Sequence, residues 1–325
     1  MTPPHMLAPP AVAATTLPAE PEALAIPGGL AAAWADGSRL VRPRIALMVL
    51  ATVWASAWIT AGPDRLTAGA TAWLLLGTAL VAASSSIANQ ILERDSDRIM
   101  PRTSRRPIAA GRLGVDTAAV IAAMLLAGGL LVQVRSCGWQ PAAATALTWL
   151  LYVAIYTPLK TITPLNTAVG AVAGALPVAI GWLGADGPRR LAAGDAAGTL
   201  AVAALATVLY LWQFPHFMAI AWLYRREYAS ARLRMLTVDD PSGLRAAGQA
   251  LAAALAMIPV SLVLAVPSGS IRLFLSAAVA ALVYAVATVG FAIRRDDASA
   301  RVLLFTSLGS LLALLTAAVT FGPPS

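Results

Sequence analysis

Cysteine is nearly absent from this 325-residue chain: Cys137 stands alone, which excludes an intramolecular disulfide and a cysteine-based metal site. Charge is scarce as well, at 12% of residues against 59% hydrophobic, and the mean hydropathy of +0.75 exceeds what a water-soluble domain of this length reaches. There are fifteen acidic residues, two histidines (His5 and His216), and one lysine, Lys160. Nothing resembles a P-loop, a nucleotide-binding glycine motif, a zinc motif or a nucleophile elbow, which disfavours ATP-driven transport and hydrolysis by a serine nucleophile.

What the chain has in quantity is long apolar runs, at roughly 43–62, 68–91, 114–134, 139–157, 167–185, 195–223, 243–266, 271–293 and 302–321, each long enough to cross a hydrocarbon core of about 30 Å. Their Ala, Leu, Val and Gly content suits closely packed helices rather than barrel strands. The expected fold is therefore an all-α, polytopic membrane protein with nine transmembrane helices in the lipid bilayer. Residues 1–40, with Pro- and Ala-rich segments and no convincing secretory signal, read as a disordered tail, and 41–325 as one membrane domain. With nine spans, all of the 23 basic residues except Arg65, Arg135, Arg189, Arg190 and Arg272 fall on one side. The positive-inside rule puts that side, with the N-terminus, in the cytoplasm and the C-terminus outside. The net charge of +8 is thus explained by topology and not by nucleic acid.

Acidic residues crowd where the second run ends. Asn89, Glu93 and Asp97 recur every fourth residue, which on a helix places an amide and two carboxylates along one stripe, with Asp95 off it as a secondary ligand. Such a set suits Mg²⁺, which takes one or two carboxylates together with the phosphates of a substrate. The bland alternative is a solvated helix end, but Asn89 lies inside the apolar boundary, where polar groups are costly unless used. A second loop on the same side carries Tyr224, Arg225 and Glu227. There Glu227 offers a carboxylate to a second Mg²⁺, with Tyr224 and Arg225 donating to diphosphate oxygens; the alternative is a topology determinant. Arg98, Arg102, Arg105, Arg106 and Lys160 read as diphosphate clamps or as contacts to lipid headgroups. His216 is the only histidine within a span and reads either as a cofactor-side group or as a packing residue.

The block Asn89-x-x-x-Glu93-x-Asp95-x-Asp97-Arg-x-Met-x-Arg102-Thr-x-x-Arg106-Pro-x-x-x-Gly111 resembles the signature of the protoheme IX farnesyltransferase family, within the UbiA-type intramembrane prenyltransferases. Further matches are Tyr156-Thr-Pro-Leu-Lys160, Thr163-Pro-x-Asn166, Gly170-x-x-x-Gly174, Pro215-His216-Phe217 and Tyr224-Arg-x-x-Tyr228, in order along residues 89–236. The resemblance implies a helical bundle in a bacterial inner membrane. Its implied reaction is Mg²⁺-dependent transfer of farnesyl from farnesyl diphosphate to a vinyl group of heme b with addition of water, giving heme O for oxidase assembly and its partner proteins. It also implies Asn89, Glu93, Asp97, Lys160 and Glu227 as the catalytic set, Asn89, Glu93, Asp97 and Glu227 as metal ligands, Arg98, Arg102, Arg106, Tyr224 and Arg225 as diphosphate contacts, and His216 on the heme side. Glu93 and Glu227 stand where the family usually has aspartate, and Arg232 and Arg234 where it has Gly and Pro. The rival readings are a UbiA-type enzyme for a quinone precursor or chlorophyllide, and a transporter or heme-handling partner.

Overall fold

A computed structural model describes residues 29–62 and 65–322, and the described residues form helices joined by turns and short irregular segments, with no strand. Nine helices long and apolar enough to cross a membrane occur among them: α2 (Pro43–Ala61), α3 (Ala68–Leu92), α5 (Val115–Cys137), the composite Trp139–Leu159, α8 (Asn166–Gly184), α10 (Ala196–Leu223), α13 (Leu244–Val263), α14 (Ile271–Arg294) and α15 (Asp297–Phe321). The nine-span, all-α expectation is borne out. The composite span consists of α6 (Trp139–Leu150), a π-helical turn (Leu151–Tyr156) and α7 (Thr157–Leu159). Short helices α4 (Arg94–Ile99), α9 (Gly187–Ala192), α11 (Arg225–Ser230) and α12 (Leu236–Asp239) lie between spans.

Helix α10 is apolar all round because it is surrounded: it packs on α2, α8, α13 and α15, and half of it is buried. Small residues let neighbouring backbones approach. At Gly77 in α3 an added Cβ would lie 2.8 Å from the Gly129 carbonyl of α5. Span α15 starts at Asp297, five residues before the apolar run at 302, because Asp296 and Ser299 form a reciprocal capping box that carries the charged first turn into the helix.

The expected tail is corrected over its last residues. Residues 1–28 lie outside the described part, but Leu30–Val41 form helix α1. Long-range bonds hold it: Ser86 Oγ and Gln90 Nε2 each donate to the Leu40 carbonyl at 2.8 Å, and Arg112 makes two 2.7 Å bonds to Asp36. Arg42 ends the helix in the left-handed region (φ 50°), and Pro43 opens α2 at its first position.

The two charged loops share one backbone design. Each long helix breaks at a single residue, Glu93 (φ −91°, ψ 5°) after α3 and Tyr224 (φ −107°, ψ 17°) after α10, and continues as a six-residue helix. Hydrogen bonds of helical register cross both breaks: Glu93 N to Asn89 O (2.9 Å) and Asp97 N to Glu93 O (2.7 Å), Tyr224 N to Ile220 O (3.0 Å) and Tyr228 N to Tyr224 O (2.9 Å). The uninterrupted helical stripe expected through Asn89, Glu93 and Asp97 is therefore corrected to a helix, a break and a short helix.

Candidate active site

The first half of the site forms where α3, α4 and α7 meet. Asn89 is fully buried, and its amide donates to Thr157 Oγ1 at 3.0 Å. Thr157 Oγ1 in turn donates to Tyr152 O at 2.9 Å, the same carbonyl that accepts the Thr157 backbone N–H at the end of the π-helical turn. Lys160 Nζ lies 2.6 Å from Glu93 Oε1 and 4.3 Å from the centre of the Tyr156 ring. Gly170 of α8 leaves room for that ring, since a Cβ there would lie 2.8 Å from Tyr156 Cε2. Arg106 bonds Asp97 Oδ2 at 2.5 Å and lies 3.7 Å from Glu93 Oε2.

The second half forms on α10 and α11. The Arg102 guanidinium stacks over Tyr224 (4.2 Å) and Tyr228 (4.9 Å), with Nε 3.6 Å from Glu227 Oε2. The two halves are joined: Met100 packs in one apolar cluster with Tyr228, Leu233 and Met235, Arg234 N donates to Lys160 O at 2.6 Å, and the Asn166 amide donates to Arg234 O at 2.9 Å. The turn after α11 is a Schellman motif, with Leu233 N bonded to Tyr228 O (2.9 Å), Arg232 N bonded to Ala229 O (3.1 Å), and Arg232 itself at φ 56°. That left-handed position accounts for the glycine implied there by the resemblance.

Electrostatics differ sharply within a few ångströms. Burial acts to raise the Glu93 carboxyl, but the Lys160 ammonium and its hydrogen bond, helped by Arg42 and Arg106, outweigh it and hold Glu93 below the usual glutamate range. Burial likewise opposes the charge on Lys160, yet Glu93 and the neighbouring tyrosines hold it above the usual lysine range. Asp97 goes the other way: burial pushes its carboxyl up and Arg106 offsets this only in part.

Three oxygens of this region, Asn89 Oδ1, Asp97 Oδ1 and Glu227 Oε2, are buried and accept no hydrogen bond. Buried acceptors without donors are costly, and oxygen-only acceptors are what a hard cation takes. Among the described residues no three His, Cys, Asp or Glu side chains converge as a ready-made metal cage. Glu93, Asp97 and Glu227 each face Lys160, Arg106 or Arg102 instead. The residues thus fit a cation that arrives together with a phosphorylated ligand better than a permanently held ion.

Other residues expected at the site are placed elsewhere. Asp95 is solvent-exposed and paired with Arg94 and Arg98. Arg98 donates to Ala109 O at 3.0 Å, while Asp97 is paired with Arg106. Arg225 is held by Trp222 O (2.6 Å) and by Asp297 of α15 (2.8 Å), so it braces two helices and does not join the Arg102–Glu227 group. His216 lies deeper in α10, stacked on Trp212 at 4.7 Å and 2.7 Å from Ser307 of α15. Arg42 escaped the sequence reading; its Nη2 is buried without a partner, and its charge acts on Glu93, Asp97 and Arg106. The only sequence signal for it was an arginine at a helix junction before proline.

Fold and site together define a polytopic helical membrane protein that gathers carboxylates and fixed cations at one end of its bundle, its mouth. The model for the UbiA prenyltransferase family matches residues 48–309. The protoheme IX farnesyltransferase of Rhodopirellula baltica is 41% identical over 284 residues, covering 85% of this chain and 96% of that protein. Among solved structures, the fold is similar to that of a digeranylgeranylglyceryl phosphate synthase (TM-score 0.72, 12% identity, 89% of this chain and 98% of that one). It is also similar to a UbiA homolog from Archaeoglobus fulgidus bound to DMAPP and Mg²⁺ (TM-score 0.62, 16% identity, 88% and 99%). The chain belongs to the UbiA prenyltransferase family. It is a prenyltransferase, and the resemblance carried by its motifs is borne out.

Proposed function

We propose that the chain is a heme O synthase, transferring farnesyl from farnesyl diphosphate to a vinyl group of heme b. The bond from farnesyl C1 to the diphosphate oxygen breaks, and the pair leaves with the diphosphate. The vinyl carbon bonds to C1, and water supplies a hydroxyl to the adjacent carbon and releases a proton. The observation that carries the chemistry is the set of three buried oxygens on Asn89, Asp97 and Glu227 that accept no hydrogen bond, beside Lys160, Arg106 and Arg102. The acceptor rests on the relative named protoheme IX farnesyltransferase.

Asn89, Glu93, Asp97 and Glu227 would hold Mg²⁺, which when bound offsets charge on the diphosphate. Lys160, Arg106 and Arg102 are neutralised by carboxylates without ligand and turn toward phosphate oxygens when substrate enters, so the charge growing on the leaving group meets cations already in place. Tyr156 and Tyr224 fix the stems of Lys160 and Arg102 by cation–π contact. The apolar bundle shelters the allylic centre from water until the vinyl group attacks. His216, about 12 Å along α10 from Tyr224 at 1.5 Å per residue, faces the heme. The motif loops and N-terminus are cytoplasmic in a bacterial inner membrane, where the product feeds oxidase assembly.

Purified protein in lipid nanodiscs, given Mg²⁺, farnesyl diphosphate and heme b, yields a porphyrin heavier by one farnesyl and one hydroxyl group. Unchanged heme in the mass spectrum, with intact folded protein, would overturn the reading.

A further inference from the structure

His216 is bracketed by Trp212 on its own helix and Ser307 on α15, and none of the motif matches explains either. Ser307 Oγ lies 2.7 Å from His216 Nδ1 and 2.6 Å from the Leu304 carbonyl of its own helix. A serine hydroxyl has one proton. If that proton pointed at Nδ1, the hydroxyl and carbonyl oxygens would face each other at 2.6 Å with no hydrogen between them. Only one arrangement makes both contacts hydrogen bonds: Ser307 donates to Leu304, and His216 Nδ1–H donates to Ser307. In the neutral imidazole that arrangement leaves Nε2 with its lone pair. Trp212 holds the ring by stacking at 4.7 Å with 22° between planes, and its Nε1 donates to the Ser307 carbonyl at 2.8 Å. Tyr284 Oη fixes Trp212 in turn by donating to its carbonyl at 2.7 Å.

We propose that Ser307 is a positioning residue that locks His216 in the Nδ1–H tautomer, so that Nε2 is presented as an axial ligand to the iron of the porphyrin substrate. This rests on the heme reading above. A metal-ligating histidine takes its orientation and tautomer from the bond made by its other nitrogen, and loss of that partner weakens metal affinity by about 10- to 100-fold.

The chain has two histidines, so ¹⁵N-histidine labelling of the full protein in nanodiscs gives two ring systems, which His216→Ala assigns. The expected result is a protonated Nδ1 and an unprotonated Nε2 for His216, kept in Ser307→Thr and shifted to the opposite tautomer in Ser307→Ala. A wild-type ring protonated at Nε2, or a Ser307→Ala spectrum identical to wild type, overturns the lock without any heme being involved. In a titration with ferric heme b, the Soret shift is lost in His216→Ala, and affinity falls about 10- to 100-fold in Ser307→Ala and returns in Ser307→Thr. A titration that His216→Ala leaves unchanged, in protein that still forms farnesylated product, overturns the iron contact alone. Absence of product from wild type overturns the heme reading itself.

Discussion

Replacing Lys160 by methionine tests the mouth most directly. Methionine keeps much of the stem and removes an ammonium that lies 2.6 Å from Glu93, in a pair whose side chains are only 12% and 13% exposed. Breaking a pair this dry by removing one partner costs about 3–5 kcal/mol, because a charge is left buried without compensation. Here Arg106, 3.7 Å from Glu93, takes up part of the deficit, so a loss of about 2–3 kcal/mol is expected. Turnover falls further than stability accounts for, by about 10²–10³-fold in kcat, the usual effect of deleting one group aimed at developing negative charge. Glu93→Gln alone also destabilises, and the double variant recovers to within about 1 kcal/mol of wild type because no unpaired charge remains, while its activity stays lost. The pH dependence follows from the direction of each shift. Glu93 is held below its ordinary 4.5, so its contribution is present above that value and is lost as pH falls through the folded pKa. Lys160 is held above its ordinary 10.5, so its contribution is present below that value and is lost only as pH rises through a still higher one. Between these limits the pair adds a flat increment to stability, which Lys160→Met removes. Thermal unfolding across pH, together with farnesyl transfer, provides the assay. Strictly additive single variants would refute the pair, and full activity of Lys160→Met would refute the diphosphate contact.

Arg102→Ala is expected to lower kcat/KM by about 10²-fold. Arg225→Ala, which breaks a half-exposed tie to Asp297, instead lowers stability by about 0.2–1 kcal/mol and leaves the KM for farnesyl diphosphate unchanged; equal kinetic effects would contradict the placement of the two arginines. Gly170→Val drives a side chain into the Tyr156 ring and costs about 1–3 kcal/mol, with activity falling as Lys160 loses its platform; unchanged unfolding and turnover would contradict the close contact. Arg232→Gly relieves a left-handed residue worth about 1–2 kcal/mol against an unfolded-state entropy cost of about 0.5–1 kcal/mol, so the melting temperature holds or rises. Chelation with EDTA abolishes transfer and added Mg²⁺ restores it, measured as farnesylated porphyrin; activity that survives thorough chelation would contradict the assigned role of the buried oxygens.

The nine spans were legible because a bilayer forces long apolar runs, a constraint that leaves little choice of structure. Helix α1 was not, because its order comes from partners remote in sequence: Ser86, Gln90 and Arg112. At the mouth, residue types and fourfold spacing were enough to single out Asn89, Glu93 and Asp97, since register survives the break at Glu93. Arginine direction was not legible. Arg98 and Arg106 sit on the same loop, yet one reaches the Ala109 carbonyl and the other Asp97, and Arg225 finds an acid 72 residues away. Long side chains choose among partners that only the assembled bundle supplies.

The single lysine has a consequence for measuring local opening. A protease that cuts only after lysine has one target in the chain, Lys160, near its middle and inside the mouth. Closed, that peptide bond is guarded by the pairing of Lys160 with Glu93 and by the bond from Arg234 N to the Lys160 carbonyl. Cleavage therefore yields two fragments, at a rate set by how often the mouth unlatches. Substrate that bridges Lys160, Arg102 and Arg106 should slow the cut in proportion to its occupancy, turning a single gel band into a binding isotherm that needs neither a label nor turnover.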